Sequence, residues 1–294
     1  MTSTPRPQGL RRFVRVVSVI LVSLLLRSVP ALAEASQDEP DVAQAPAGKA
    51  PSAEQLSSQA NNPNTLLTQL QLRNITAPRL PGFDGTGNTL QLQAIIPVKA
   101  HEITPFPILM KLVVPIITLP QPVEQTGLGP TQYFAQGVFH ESWGSWGAGF
   151  TLSAPTETFR GLPKQTWQVG PAAAIIYTGI NNLILGGVFQ NPITVYTPSG
   201  STSSNALTFT PTITFTLPGG WFAGYADFDW TVNWKAHGDV TFPVGVQFGK
   251  IIHIGRQPFS VSFETGYNVI RPSNDAGVPR WMFGFEFSAL FPAL

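Results

Sequence analysis

Hydrophobic and polar residues alternate along most of this chain. In "NALTFTPTITFTL" every second residue from Thr208 to Thr216 is threonine, and Leu207, Phe209, Ile213, Phe215 and Leu217 take the other positions. In "WMFGFEFSALF" Phe283, Phe285, Phe287 and Phe291 share one parity, with Gly284, Glu286 and Ser288 on the other. "FSVSFETGYNVI" carries Ser260, Ser262, Glu264 and Asn268 on a single polar parity. In "WFAGYADFDWTVNW" the apolar parity holds Phe222, Ala226, Phe228, Trp230, Val232 and Trp234, and the polar one Tyr225, Asp227, Asp229, Thr231 and Asn233. Successive side chains of a β-strand point to opposite faces, so each stretch reads as a strand with one apolar and one polar side.

Twelve such segments are predicted, at 65–75, 88–98, 106–118, 130–140, 144–153, 165–178, 182–193, 204–217, 220–234, 239–252, 257–270 and 280–291. Most have the length of a tilted membrane-crossing strand, about 9–11 residues, and an even number suits a single-chain bacterial barrel. The connections alternate as well. "TAPRLPGFDGTG", "PQPVEQTGLGP", "APTETFRGLPKQ" and "TVYTPSGSTSS" are long, whereas "KAHEITP", "ESW", "INN" and "PGG" are short and "KAHGD" is the one exception. Barrels of the outer membrane have this asymmetry between short periplasmic turns and long outer loops. Trp143, Trp146, Trp167, Trp221, Trp234 and Trp281 fall near segment ends, where interfacial aromatic girdles belong. Pro171, Pro211 and Pro243 lie inside predicted strands, where each removes a ladder hydrogen bond and calls for a bulge or distortion.

Composition sharpens the choice between a barrel and a soluble sandwich. Charged residues make up 11% of the 294 residues, against roughly 25% in soluble domains. No run of about 18 apolar residues follows the N-terminal region, which argues against a helical span. The net charge of +1 gives no footing for nucleic-acid binding, and the absence of cysteine suits a chain crossing an oxidising periplasm. "MTSTPRPQGLRRFVR", "VVSVILVSLLL" and "RSVPALA" form the basic, apolar and small-residue regions of a signal peptide over 1–33, with cleavage expected after Ala33. Residues 34–64, rich in Ala, Pro, Gln and Ser, are expected to be a disordered periplasmic leader. The barrel is expected over 65–294, making the fold all-β, a transmembrane antiparallel β-barrel of about 12 strands in the outer membrane.

With apolar faces toward lipid, the polar parity lines the lumen. Arg73 and Lys111 point inward from the first and third segments, and Asp227, Asp229, Glu264 and Glu286 from the ninth, eleventh and twelfth. Gln91, Gln93, Gln132, Gln136, Gln168, Asn233, Gln247 and Asn268 complete the candidate lining. Charges belong there because an unpaired charge in hydrocarbon costs several kcal/mol. In a closed barrel Arg73 or Lys111 is expected to pair with Glu286, Glu264 or Asp227, and strand pairing across the closing seam puts Arg73 with Glu286 first. Such a lumen fits a passive channel for small solutes, with outer-membrane lipid as the other partner. A closed structural barrel is the alternative, and oligomeric state is left open.

An enzyme is the remaining class. His140-Glu141-Ser142 has the His-x-Ser spacing of an outer-membrane phospholipase, but it falls at a predicted short turn without an Asn or Asp to orient the base. His101, His237 and His253 lie in separate connections without metal-ligand spacing, so no catalytic residue, metal or cofactor is expected.

Several strings carry a family resemblance: "LQLQAIIP", "LMKLVVPIITLP", "TGLGPTQYF", "TFTLPGGWF", "VNWKA", "FPVGVQFGKIIHIGRQPFSVSFETGYNVIRP" and the terminal "FEFSALFP". In this order they resemble the MetA-pathway phenol-degradation family of bacterial outer-membrane proteins, also labelled neuromedin U, over most of 65–294. The resemblance implies a β-barrel that moves small, aromatic or hydrophobic compounds across the outer membrane. It brings no catalytic residues. The chain departs from the pattern of such barrels in ending on Leu294 rather than phenylalanine.

Overall fold

A computed structural model describes residues 51–100, 102–160, 165–272 and 277–291. The signal peptide expected over 1–33 and the first part of the expected leader lie outside the described residues.

The chain folds into one closed antiparallel β-barrel of twelve staves. The strands are β1 (Thr68–Ala77), β2 (Gly87–Val98), β3 (Ile108–Leu119), β4 (Gln125–Leu128), β5 (Thr131–Glu141), β6 (Gly144–Ala154), β7 (Trp167–Ile180) and β8 (Leu183–Gln190). They continue with β9 (Ile193–Tyr196), β10 (Ala206–Thr216), β11 (Trp221–Tyr225), β12 (Trp230–Asn233), β13 (Asp239–Ile254), β14 (Gln257–Ile270) and β15 (Trp281–Phe291). Three staves are each made of two strands: β4 with β5, β8 with β9, and β11 with β12. The barrel closes where β1 pairs β15, in a register that sets Arg73 beside Glu286 and Leu72 beside Phe287.

Alternation decides the two surfaces. Leu70, Leu72, Phe150, Ile175, Phe215, Phe248, Phe263 and Phe285 are exposed on the outside, and their strand neighbours point into the bore. Closure also satisfies the backbone donors and acceptors that an open sheet edge would leave unpaired in hydrocarbon. Tryptophans sit at both ends of the staves. Trp146 and Trp221 begin β6 and β11, Trp167 and Trp281 begin β7 and β15, and Trp234 follows β12. Turns at 142–143, 181–182 and 255–256 mark one end of the barrel, and the ends of β1, β6, β9 and β14, followed by long connections, the other. The connection at 99–107 is longer than its short-turn expectation.

The prolines find a common explanation. In an antiparallel strand a residue's N–H and C=O point to the same neighbour. The Pro115 carbonyl accepts from Gly129, at the β4/β5 interruption, and the Pro171 carbonyl accepts from Asn191, at the β8/β9 interruption. On β10, Thr216 donates to Asn182 and Leu217 to Trp221, so odd positions, Pro211 among them, face the β11/β12 stave. On β13, Gly245 accepts from Ala226, and the Pro243 carbonyl accepts from the Tyr225 hydroxyl. Each proline thus turns its missing donor toward a broken stave, where an N–H would lack a ladder partner. The Phe242/Pro243 step is also a register shift.

The β11/β12 break corrects the expected single strand over 220–234. Residues 226–229 leave the ladder, and the parity changes across them. Phe222 pairs Gly249 on the inward face and is 1% exposed, whereas Tyr225 pairs Val246 on the outward face. Phe222 and Ala226 were expected outside and Tyr225 inside; the excursion reverses both. Trp230 faces out against Phe209 and Phe242, as its parity predicted.

A second correction concerns the leader. Within the stretch expected to be disordered, Ala53–Ala60 form a helix, α1, opened by a capping box between Ser52 and Gln55. The order comes from tertiary burial: Leu56, 2% exposed, packs with Leu67, Ile251 and Leu290. The turn before β11 admits the helix because Gly219 and Gly220 take positive φ, and a Cβ on Gly220 would stand 2.8 Å from that of Ala53. At the far end of the segment Asn64 donates to Ser145 at 3.0 Å and accepts from Gln136 at 2.8 Å. Residues 53–64 therefore run from the β10–β13 wall to the opposite β5–β6 wall, laying a floor across the short-turn end.

Two outcomes follow for this floor. Leu56→Ala should weaken its docking by about 2–4 kcal/mol, seen as faster proteolysis of 51–64 while the barrel keeps its heat-modifiable mobility. Glu54 accepts from the Gly219 N–H at 2.7 Å. Its own backbone N–H foremost, then that of Gly219 and the Ser52 hydroxyl, hold its carboxyl below the ordinary 4.5. A lowered value stabilises the docked form above the ordinary pKa, and this contribution is lost as pH falls through the docked one. Amide protection of 53–60, corrected for intrinsic exchange, should therefore drop as the pH is taken below the ordinary 4.5; Glu54→Gln should abolish that step.

Candidate functional site

Above the floor lies a cavity of about 250 Å³ bounded below by Ala60–Pro63. Ten of the fourteen candidate residues line it. Arg73, Gln91, Gln93, Lys111 and Gln132 come from β1, β2, β3 and β5, and Gln247, Glu264 and Glu286 from β13, β14 and β15. Asp227 and Asp229 enter from the excursion between β11 and β12. The departure from the ladder carries the backbone inward, so both carboxylates reach further into the bore than strand residues would.

The other four candidates are tied to the barrel's ends. Gln136 holds Asn64 of the floor. Gln168 donates to Thr166 at 3.2 Å, and the Asn233 side chain caps the turn at 234–236 by accepting from Lys235 and Ala236. Asn268 donates to the Pro279 carbonyl at 2.7 Å and so fastens the 271–280 loop.

Arg73 organises the charged wall. Its Nε donates to Glu264 at 2.8 Å, its Nη1 lies 3.5 Å from Asp227, and a further guanidinium nitrogen donates to the Asp227 carbonyl. Glu264 in turn accepts from the Asp227 N–H at 2.9 Å, and the Arg73 carbon stands 5.5 Å from the centre of the Phe228 ring. Arg73 and Glu264 are buried, whereas the Asp227 side chain is 45% exposed. These are the two ion pairs among the described residues.

The expected Arg73–Glu286 pair does not form, although the two are register partners. Glu286 accepts instead from Ser288 at 2.7 Å. The reason lies at Gly284, where a Cβ would stand 2.3 Å from Glu264 Oε1. That bare position lets Glu264 lean over β15 toward β1, and it takes the guanidinium.

Lys111 makes no hydrogen bond or ion pair among the described residues. It lines the same cavity as Asp229, whose carboxylate accepts from Thr210. Beside Lys111, Gln93 donates to Gln91 at 2.8 Å while its own side-chain oxygen is buried without a partner. Sequence reasoning missed Thr210 as a partner and Phe228 as a ring inside the bore. The threonine parity from Thr208 to Thr216 did signal the first; the parity break hid the second. His140 is the penultimate residue of β5 and Ser142 lies in the following turn, and no hydrogen bond joins them.

No protein-family model matches this sequence, and no curated protein matches it. Among solved structures, the COG4313 outer membrane channel from Pseudomonas putida F1 is similar with a TM-score of 0.52 at 13% identity, covering 77% of this chain and 96% of that one. The KdgM porin has a TM-score of 0.46 at 13% identity, covering 76% of this chain and 99% of that one. The first likeness shows the fold: an antiparallel twelve-stave barrel of the kind found in an outer-membrane channel.

Arg73→Met should destabilise the barrel by about 3–5 kcal/mol, because it leaves Glu264 buried without its counter-charge. Adding Glu264→Gln should recover much of that loss. Urea unfolding of the barrel in detergent micelles compares the three proteins.

Proposed function

We propose that this chain is an outer-membrane channel through which small solutes pass passively along the bore. The observation that carries the reading is a polar, charged cavity running inside a cylinder whose outer surface is apolar between two tryptophan girdles. In an envelope with two membranes, the N-terminal segment and the short turns would face the periplasm and the long loops the exterior. The signal peptide over 1–33 would bring the chain there. The bore walls support small polar solutes; aromatic or hydrophobic compounds rest on the resemblance to the MetA-pathway family.

Selectivity follows from charge. Arg73 and Lys111 oppose Asp227, Asp229, Glu264 and Glu286, two cations against four carboxylates, so the lining carries a formal charge of −2. A bore of that sign concentrates cations. The floor over residues 53–64 favours a second reading, a closed structural barrel without transport.

Single-channel recording of the purified protein in a planar bilayer separates the two. A channel should conduct potassium chloride with a preference for potassium, and silence at all voltages would establish the closed barrel. Asp227→Asn with Asp229→Asn brings the lining to neutrality and should reduce the potassium-to-chloride permeability ratio toward about one.

A further inference from the structure

The charges in the bore are not equally engaged. Arg73 is consumed by Glu264 and Asp227, so Lys111 is the cation left to meet a solute. It sits on the third stave, between Leu109 and Val113 along β3. Register places it diagonally next to Gln93 on one side and Gln132 on the other, through Val113 in both cases. Gln93, 6% exposed, also lines the cavity and is held in place by donating to Gln91 at 2.8 Å.

Half a turn around the barrel, on the ninth stave, stands the opposite pole. Asp229 keeps one carboxylate oxygen beyond the one that accepts from Thr210, and Asp227 exposes nearly half its side chain to the bore. Lys111 and Asp229 line the same cavity yet form no ion pair. Such a pair of walls, one ammonium flanked by amides and one carboxylate edge, discriminates by the placement of charge within a solute. A simple anion meets the carboxylates of Asp227 and Asp229, and a simple cation satisfies them while leaving Lys111 without a counter-charge.

We propose that the bore carries a recognition site for short zwitterions, whose carboxylate is taken by Lys111 and whose ammonium is taken by Asp229 and Asp227. This rests on the channel reading for its consequence in transport, though not for binding. The low-dielectric flank of Leu109 and Val113 strengthens the attraction at Lys111 relative to open water.

Glycylglycine is the probe, with N-acetylglycinamide as a neutral comparator of similar size. Proteoliposomes should swell in glycylglycine about fivefold faster than in the comparator. Lys111→Met and Asp229→Asn should each remove that advantage while both variants still conduct potassium chloride. Calorimetry on the detergent-solubilised protein should show saturable glycylglycine binding, weakened by either substitution and not competed by N-acetylglycinamide. Equal swelling rates without binding, or a preference unchanged in Lys111→Met, would overturn the site. A barrel that is electrically silent yet binds glycylglycine through Lys111 overturns the channel reading alone.

Discussion

A chain embedded in hydrocarbon has nowhere to put an unpaired peptide group, and this constraint governs the rest of the molecule. Twelve staves close on themselves because β1 reaches β15, which removes the sheet edges that the bilayer would punish. Where a stave is interrupted, the neighbouring strands carry proline at the position facing the gap. Pro115, Pro171, Pro211 and Pro243 have no N–H to leave unsatisfied, so residues that break an ordinary strand here fit its neighbour's break. The wall can then depart from regularity at three places, and one departure delivers Asp227 and Asp229 to the interior.

The interior obeys the opposite rule. Charges drawn inside by the cost of lipid must be neutralised or hydrated, and the bore does both. Arg73 and Glu264 are buried and bonded to each other, a pairing that depends on the missing side chain at Gly284. Lys111, Asp229 and the exposed face of Asp227 remain in the cavity. The first group holds the wall in shape, while the second sets the field inside the cavity. Two groups with similar composition thus divide between wall and cavity according to burial.

Much of this was legible in the sequence because a period of two survives translation into structure without loss. The rows of Thr208–Thr216 and Phe283–Phe287 fixed inside and outside, and the alternation of long and short connections fixed the two ends. Parity reasoning failed where the period itself changed. Nothing in "GYADFD" announces that the backbone leaves the ladder for four residues, so Phe222 and Tyr225 were assigned to the wrong faces. Side-chain reach was equally hidden: register pointed from Arg73 to Glu286, and only packing shows that Glu264 arrives first. The helix over Ala53–Ala60 escaped notice because its order comes from the barrel wall rather than from its own composition. A lone Leu56 among small and polar residues is too weak a signal to distinguish a docked turn from a free leader.

Which face of the wall meets lipid decides the inside and outside of the barrel. The chain has no cysteine of its own, so single cysteines at Phe283, Gly284, Phe285, Glu286 and Phe287 can each carry a nitroxide label in reconstituted bilayers. Molecular oxygen, concentrated in lipid, should relax the labels at 283, 285 and 287, and a water-soluble nickel chelate those at 284 and 286. A reversed pattern, or equal access to both reagents along the strand, would contradict the barrel's orientation and the bore with it.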